Sequence, residues 1–300
     1  MLKIAYHPIF KHNLPLGHRF PMSKYELLHQ QLLYEGTCEP ENFFTPGNVN
    51  KNAILEVHTE EYVNALLSLT LDARSARKIG FPLSEKLVER EQIITQGTIE
   101  GCDHALKNGI AMNIAGGTHH AYPDRGEAFC LFNDQAIGAR YLQNTRDIRK
   151  ILIVDLDVHQ GNGTAVIFKK DASVFTFSMH GASNYPFRKE TSDLDIALPD
   201  GSNDDFFLST LRETLPKLIE QEDPDFIFYL SGVDILESDK LGKLNCSLAG
   251  CKERDRFVMQ TCRDLDIPVQ VSMGGGYSPD IKTIIEAHSN TFRMAKEVFF

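Results

Sequence analysis

The 300-residue sequence lacks the features of a membrane or secreted protein. No run approaches the roughly 20 consecutive apolar residues that a membrane-spanning helix needs. The first residues, Met1 to His7, also lack the long apolar core and small-residue cleavage site of a signal peptide. We therefore expect a cytoplasmic protein without a membrane partner.

Paired cysteines are missing as well. The six cysteines are scattered along the chain, and no two have the Cys-x-x-Cys spacing of a zinc ribbon or a redox motif. In a cytoplasmic protein they are expected to be reduced thiols, mostly buried.

An excess of basic residues is the third absence, since the net charge is −10. Phosphate backbones are bound mainly through Lys and Arg, so this charge argues against a nucleic-acid partner.

Strand-like and helix-like stretches alternate along the chain. Short β-branched or aromatic runs predict strands at 3–6, 110–115, 151–155, 173–180, 225–231 and 267–272. Stretches with helical apolar spacing separate them, which is typical of a mainly parallel sheet flanked by helices. No linker-like composition divides the chain, so we expect residues 1–300 to form a single α/β domain. Segments 72–84 and 181–195 are predicted to be long loops that form the rim of a site.

Four of the predicted strands end in side chains that can bind or catalyse. In parallel sheets of this class, ligands bind beyond the carboxyl ends of the strands. Packing alone does not explain polar groups at four such ends. The side chains at these ends are His119 and His120, then Asp155, Asp157 and His159, then Asp234, and finally Tyr277.

Three of these side chains predict a metal centre. Asp157, His159 and Asp234 would give a metal three protein ligands and leave one position open for water and substrate, as in catalytic sites. Two aspartates and one histidine suit zinc, and they also accept iron, cobalt or manganese. The metal would lower the pKa of its bound water towards ~7 and polarise a carbonyl beside it.

The other strand ends supply groups for proton transfer and charge stabilisation. His119 and His120 can move protons, and the Gly116-Gly117 turn permits both imidazoles to face one site. Tyr277 follows a glycine run and can donate a hydrogen bond to an oxyanion. Together these parts predict a hydrolase for an amide or a related acyl compound.

Five motifs resemble those of the zinc-dependent histone deacetylase family, in the family's order. They are Gly116-Gly117-Thr118-His119-His120, Phe129-Cys130-Leu131-Phe132-Asn133-Asp134, the stretch from Asp155 to Gly163, Gly232-Val233-Asp234 and Gly274-Gly275-Gly276-Tyr277. The resemblance spans nearly the whole chain and implies an arginase/deacetylase fold. Segments 160–163 and 234–242 resemble class IV deacetylases and their bacterial relatives, and the compact chain fits a bacterial deacetylase-like protein.

The resemblance implies two kinds of metal ion. It assigns zinc, with iron as an alternative, to Asp157, His159 and Asp234. It also implies a structural potassium ion behind the zinc. The implied potassium ligands are the side chains of Asp155 and Ser178 and backbone oxygens of Asp157, His159 and Met179.

The resemblance also implies catalytic roles. His120 would be the general base and acid, and His119 would be its electrostatic partner, hydrogen-bonded to Asp155. Tyr277 would donate to the oxyanion. Many family members carry Asp where this chain has Asn162, and an amide cannot compensate an imidazolium as a carboxylate can. If Asn162 faces His120, that histidine should be a weaker base with a larger neutral fraction at pH 7.

The implied substrate channel is formed by loop residues. Phe129 would form one wall and Tyr185 the other, and Arg19 would line the internal cavity through which the acid product leaves. Leu241 aligns with a rim position where polyamine enzymes benefit from an acidic residue. Ala128 occupies a site often held by Gly, so its methyl group is expected to narrow the channel.

Three functions follow from these residues. The first is a metal-dependent deacylase that removes acetyl or longer acyl groups from lysine side chains in proteins or peptides, or from a small acylated amine, by means of a metal-activated water. The second is an acetylpolyamine amidohydrolase, against which Leu241 argues. The third is a catalytically silent metal-containing binding protein. The complete set of catalytic residues argues against this function, because a protein without turnover need not keep them.

Overall fold

The structure, a computed structural model, describes residues 1–300 and contains one eight-stranded sheet. Every strand pair is parallel, and the strand order is β2-β1-β3-β8-β7-β4-β5-β6. The predicted α/β class with a mainly parallel sheet is therefore confirmed. The strands are β1 (Lys3–Ala5), β2 (Phe43–Phe44), β3 (Ile110–Asn113), β4 (Ile151–Asp155), β5 (Val174–Gly181), β6 (Leu194–Leu198), β7 (Phe226–Leu230) and β8 (Val269–Ser272).

Ten α-helices connect and flank these strands, together with two short 3₁₀ helices at Pro8–Phe10 and Pro40–Asn42. The longest, α5, packs on β1, β3 and β8. No helix is both long enough and apolar enough to cross a membrane. The α-helices are α1 (Lys24–Tyr34), α2 (Lys51–Leu55), α3 (Glu60–Leu67), α4 (Ala73–Ile79), α5 (Glu85–Asn108), α6 (Asp134–Thr145), α7 (Asn162–Phe168), α8 (Asp204–Glu222), α9 (Leu248–Asp264) and α10 (Ile281–Phe299).

The centre of the sheet is its most buried part. Every residue of β4 and β7 is buried, and their sequences are almost entirely apolar, as expected of central strands in a parallel sheet. A hydrophobic cluster of 75 buried residues surrounds this centre. Because one sheet and one cluster serve the whole chain, we propose that residues 1–300 form a single domain.

The strand order determines where the chemistry lies. Strands β3, β8, β7 and β4 are consecutive neighbours in the sheet. The candidate catalytic and metal-binding side chains follow these four strands, and parallel strands bring their carboxyl ends to one edge of the sheet. The topology therefore places the four strand ends side by side.

The two predicted long loops differ in the structure, since only the first contains a helix. Segment 72–84 includes α4, whose first turn is capped by Asp72 through hydrogen bonds from the N–H groups of Arg74 and Ser75. This helix buries only Ile79, so it leaves almost no apolar periodicity in the sequence. Segment 181–195 is a loop that ends as the edge strand β6 begins.

Candidate active site and metal centre

Asp157, His159 and Asp234 meet beyond the ends of β4 and β7. Their ligand atoms all lie within 4.8 Å of one another, and all three residues are buried. His159 Nδ1 lies 3.0 Å from Asp157 Oδ1 and 3.1 Å from Asp234 Oδ2. Backbone N–H groups orient the carboxylates: that of Gly275 donates to Asp157 Oδ2 at 2.8 Å and that of Val158 to Asp234 Oδ1 at 3.0 Å.

This cluster fits a divalent cation. Asp234 Oδ2 is buried and accepts no hydrogen bond, since the nearby His159 Nδ1 is bonded to Asp157 instead, and a side chain at Gly232 or Gly275 would collide with the carboxylates. Burial and the neighbouring Asp157 raise the pKa of Asp234 to about 7. Burial alone would lower the pKa of His159, but the two carboxylates raise it to about 10. Both shifts show that the two buried carboxylates need positive charge beside them, and a divalent cation bound to the neutral imidazole and the carboxylates would supply it.

His119 is paired with a carboxylate, as predicted from the sequence. Its Nδ1 lies 2.7 Å from Asp155 Oδ2, and because a carboxylate only accepts, the imidazole N–H donates. Burial opposes the charged form of His119, but Asp155 raises its pKa above the usual value. The other oxygen of Asp155 accepts from the N–H of Asp157 at 3.1 Å, which fixes the carboxylate.

His120 is paired with an amide. Its Nδ1 donates to Asn162 Oδ1 at 2.6 Å, and Asn162 Nδ2 in turn donates to the hydroxyl of Tyr122 at 3.0 Å. His120 Nε2 therefore carries the free lone pair. Burial lowers the pKa of His120 well below its usual value, with further lowering by His119 and His159. The contact expected from the sequence is present, but burial is the main cause of the neutral form, and the hydrogen bond to Asn162 acts in the opposite direction.

Tyr277 follows the glycine-rich loop at the end of β8. Its N–H donates to Asp239 Oδ2 at 2.6 Å, and its ring centroid lies 6.3 Å from that of His159. The hydroxyl has no hydrogen-bond partner within the chain, so it is free to donate to a ligand. Beneath this loop, the buried ammonium group of Lys24 donates to the carbonyl oxygen of Gly274 at 3.2 Å.

Above these groups lies a cavity that forms the mouth of the site. Tyr185 forms one side: its ring centroid is 5.0 Å from that of His120, and its hydroxyl donates to Glu127 at 2.8 Å. The structure therefore brings the predicted channel residues and the candidate catalytic residues into one lining. The members of this lining predicted from the sequence are Arg19, Phe129, Tyr185, Leu241, His120, His159 and Tyr277.

The opposite wall has an unusual backbone. Ala128 and Phe129 have φ angles of 45° and 70°, in the left-handed region that favours glycine. Their N–H groups donate to the carbonyl oxygens of Lys78 at 2.9 Å and Ile79 at 2.6 Å, at the end of α4. These bonds hold Phe129 in the channel wall, and they show why segment 72–84 belongs to the rim.

The inner cavity differs from the prediction at Arg19. This side chain is exposed at the mouth, with its guanidinium carbon 5.0 Å from the centroid of the Phe129 ring, and it does not line the inner cavity. The reason is its neighbour Phe20, which is buried against Phe129 and turns Arg19 outward. The inner cavity is lined instead by the buried pair Arg90 and Glu91 on α5.

Comparison with known proteins decides the family. A model of the histone deacetylase domain matches residues 18–292. The chain belongs to the histone deacetylase family. The match confirms the family that was predicted from the sequence. Membership of this family indicates that the protein is a hydrolase.

The similarity of this histone deacetylase family member to known proteins covers most of the chain. It is 44% identical to an uncharacterized protein of Picosynechococcus sp. over 99% of both chains. It is 30% identical to histone deacetylase 2 of Arabidopsis thaliana over 89% of this chain and 72% of the plant protein. The crystal structure of a histone deacetylase homologue in complex with SAHA has a TM-score of 0.84 and 25% identity, with 99% of this chain and 84% of that chain covered.

The potassium site of this family member stays a prediction. Asp155 on β4 and Ser178 on β5 are register partners in neighbouring parallel strands, so their side chains lie on the same face of the sheet. In the structure, Ser178 Oγ is 3.0 Å from His180 Nδ1 and forms a hydrogen bond with it.

Sequence reasoning missed several supporting residues. Asp239 accepts hydrogen bonds from the N–H groups of Leu241 and Gly242, at 2.8 and 2.9 Å, as well as from Tyr277. The fully buried Arg254 donates to backbone carbonyl oxygens at the end of β7, including that of Ser231 at 3.1 Å. Asp239 lies within the recognised segment 234–242, whereas no sequence signal marks Arg254.

The sequence did contain a signal for the buried Arg90–Glu91 pair of the inner cavity. Arg90 and Glu91 fall on the same helical face as Leu87 and Ile94, both of which are buried in α5. Charged residues on an apolar face indicate a paired buried site.

Proposed function

We propose that this protein is a metal-dependent amidohydrolase that removes a short acyl group, foremost acetyl, from a lysine side chain in a protein or peptide, or from a similar acylated amine. One observation carries the proposal. Asp157, His159, the free Nε2 of His120 and the unpartnered hydroxyl of Tyr277 lie around the same cavity, and the ligand atom of the buried Asp234 lies within 4.8 Å of those of Asp157 and His159.

We propose zinc as the cation, with iron as the alternative, bound by Asp157, His159 and Asp234. When bound, the cation lowers the pKa of a water molecule and polarises the substrate carbonyl. The network of Asp155 and the backbone N–H groups around the ligands keeps the carboxylates oriented for that task.

The chain's own residues move the proton and stabilise the charge. His120 Nε2 accepts a proton from the attacking water and then donates it to the nitrogen of the leaving amine. His119, held by Asp155, stabilises the negative charge that develops nearby. The hydroxyl of Tyr277 donates a hydrogen bond to the carbonyl oxygen as that oxygen becomes negative. The C–N bond breaks, and the products are a free amine and a carboxylic acid.

The inner cavity supports a short acyl group. Its volume is about 50 Å³. One water molecule needs roughly 10–15 Å³ on this measure, so the cavity has room for a group the size of a few waters. An acetyl group fits, whereas a fatty-acyl chain would require the aromatic walls to move.

The polyamine alternative receives less support. A polyamine carries several positive charges, and no carboxylate lines the mouth of the channel. Leu241 lines the mouth where the polyamine enzymes benefit from an acidic residue. A silent binding protein receives less support because the chain keeps all of the candidate metal ligands and catalytic residues, which a protein without turnover need not retain.

We further propose a class IV affiliation within a bacterial setting, a cytoplasmic location and the structural potassium ion. The class IV proposal is supported by segments 160–163 and 234–242. The negative charge supports the absence of a nucleic-acid partner.

The experiment is a panel of fluorogenic lysine substrates, from acetyl to myristoyl, assayed with zinc- or iron-loaded protein. We expect the highest kcat/KM for acetyl, a steep decrease with chain length and loss of turnover on chelation. Metal content is measured on the same sample. No turnover of any acyl length by metal-loaded protein would contradict the proposed function.

A further inference from the structure

The mouth of the channel has a charge opposite to that of the protein as a whole. The chain carries a net charge of −10, yet the residues that line the mouth include three exposed cations and no carboxylate. The cations are Arg19, Lys78 and Lys243. They come from three separate segments of the chain, so local sequence composition does not explain their convergence.

Two of these cations, Arg19 and Lys78, have no strong ion pair with a carboxylate. Arg19 forms no ion pair and lies over the ring of Phe129. Lys78 is 48% exposed and lies 3.7 Å from Glu127, which is only 13% exposed. Glu127 is closer to the guanidinium group of Arg125, at 2.9 Å, so its charge is already compensated.

The third cation has a weak partner. Lys243 Nζ lies 2.8 Å from Ser183 Oγ and 3.8 Å from Asp200 Oδ2. Lys243 and Asp200 are both about half exposed, at 50% and 51%, so water screens the pair. Because the cations outnumber the carboxylates beside them, the mouth presents a net positive potential to an approaching substrate.

We propose that the mouth selects acyl-lysine residues that are flanked by acidic residues in a peptide. This inference rests on the proposed function. With the acyl-lysine in the channel, an extended peptide places its neighbouring residues about 3.3 Å apart along the rim. Their carboxylates then lie within the ~10 Å over which exposed charges interact at moderate salt. Phe187, which is exposed at the mouth, offers an apolar contact beside these charges.

The test uses three acetyl-lysine peptides of equal length, flanked on both sides by Glu, Gln or Lys. We expect kcat/KM to be about tenfold higher for the Glu peptide than for the Lys peptide at low salt, with the Gln peptide between them. The difference should appear mainly in KM. It should shrink at 0.5 M NaCl, because salt at that concentration screens exposed charges.

A pair of matched variants locates the effect. In the mouth variant, Arg19→Gln, Lys78→Gln and Lys243→Gln are combined. The control combines Arg149→Gln, Lys169→Gln and Lys170→Gln, which changes the net charge equally at exposed positions that precede β4 and β5, at the opposite edge of the sheet. For the mouth variant, we expect the kcat/KM values of the Glu and Lys peptides to differ by no more than about twofold. The control should keep the preference for the Glu peptide.

The outcomes separate this inference from the proposed function. Turnover of all three peptides at equal kcat/KM, or a preference that survives in the mouth variant, would overturn the inference and leave the function standing. Absence of turnover would overturn the function. In that case, fluorescence anisotropy with labelled versions of the same peptides still decides the inference: tighter binding of the Glu peptide supports it, and equal binding overturns it.

Discussion

The floor and the mouth of the site are built in different ways. The floor consists of side chains at the ends of β4, β7 and β8 and the turn after β3, and these are almost completely buried; Asp157 and Asp234 are 2% and 0% exposed. The mouth is formed by loops and the end of α4, and its charged side chains are exposed. The floor is rich in carboxylates, whereas the mouth is lined by cations.

The difference teaches which part of the molecule determines which property. Parallel strands in fixed register hold the floor, so its geometry is suited to the reaction common to the family. Loops build the mouth, and loops tolerate change without loss of the fold. We therefore assign the chemistry to the floor and the choice of substrate to the mouth.

The most damaging change should be Asp234→Asn in the floor. The amide oxygen can still accept from the N–H of Val158, but the charge that holds a cation is lost. We expect cation affinity to fall on the order of 100-fold or more, since loss of an outer-shell partner alone costs 10–100-fold. Metal analysis after gel filtration measures this effect.

The metal-free form of this variant sharpens the comparison. Removal of one of two neighbouring buried carboxylates relieves repulsion, so the melting temperature of the metal-free variant should not fall below that of the metal-free wild type. A fully metallated Asp234→Asn variant would rule out Asp234 as a ligand.

The next largest effect should come from Tyr277→Phe, which removes only a hydroxyl group. We expect kcat for an acetyl-lysine substrate to fall about 10²- to 10³-fold, because one oxyanion donor is lost. Cation content and melting temperature should not change, since the hydroxyl forms no hydrogen bond within the chain. Unchanged kcat would show that Tyr277 does not donate to the oxyanion.

Asp239→Asn tests the side chain that connects the two regions. Its carboxylate accepts from Tyr277 in the floor and from Leu241 and Gly242 in the mouth, whereas an amide can accept through one oxygen only. We expect a loss of about 1–3 kcal/mol in the free energy of unfolding. Because both regions shift, kcat should fall and KM should rise, each by a smaller factor than the loss of kcat in Tyr277→Phe.

Urea unfolding and steady-state kinetics measure these effects on Asp239→Asn. Cation content is the control, and it should stay at the wild-type level because Asp239 is not a proposed ligand. A change in kcat with wild-type KM and wild-type stability would contradict the connecting role.

The position of the floor could be predicted from the sequence because it follows the ends of apolar strands. The run 151–155 forms β4, which ends at Asp155, and Asp157 and His159 follow it in a bend, so the strand marks where the site lies. Parallel topology then brings the other strand ends to the same edge. The contacts of His119 with Asp155 and of His120 with Asn162 followed from the family resemblance, and both are present.

The mouth could not be predicted to the same extent because distant contacts decide its side-chain directions. Arg19 points outward since Phe20 packs against Phe129, more than 100 positions away in the chain. The short helix α4 buries a single side chain and therefore leaves no periodic pattern. The left-handed backbone of Ala128 and Phe129 is held by hydrogen bonds from another segment.

The smallest effect should come from Glu127→Gln, which weakens the electrostatic links of the mouth without touching the floor. Burial alone would raise the pKa of Glu127, but hydrogen bonds from Arg125 and Tyr185 hold that pKa below its usual value. The charged carboxylate therefore stabilises the fold above its unfolded pKa of about 4.3, and this contribution is lost as the pH falls through the lower folded pKa. We expect the variant to lose up to about 1 kcal/mol of unfolding free energy at pH 7. The gap to the wild type should close below pH 4, as measured by urea unfolding across this range.

Glu213→Gln, at an exposed position on α8 without an ion pair, is the control and should match the wild type at every pH. Since Tyr185 loses its anionic partner, KM for the neutral, Gln-flanked peptide should rise two- to threefold with kcat unchanged, and a fall in kcat instead would show that the mouth and the floor are not separable in the way that their geometry indicates.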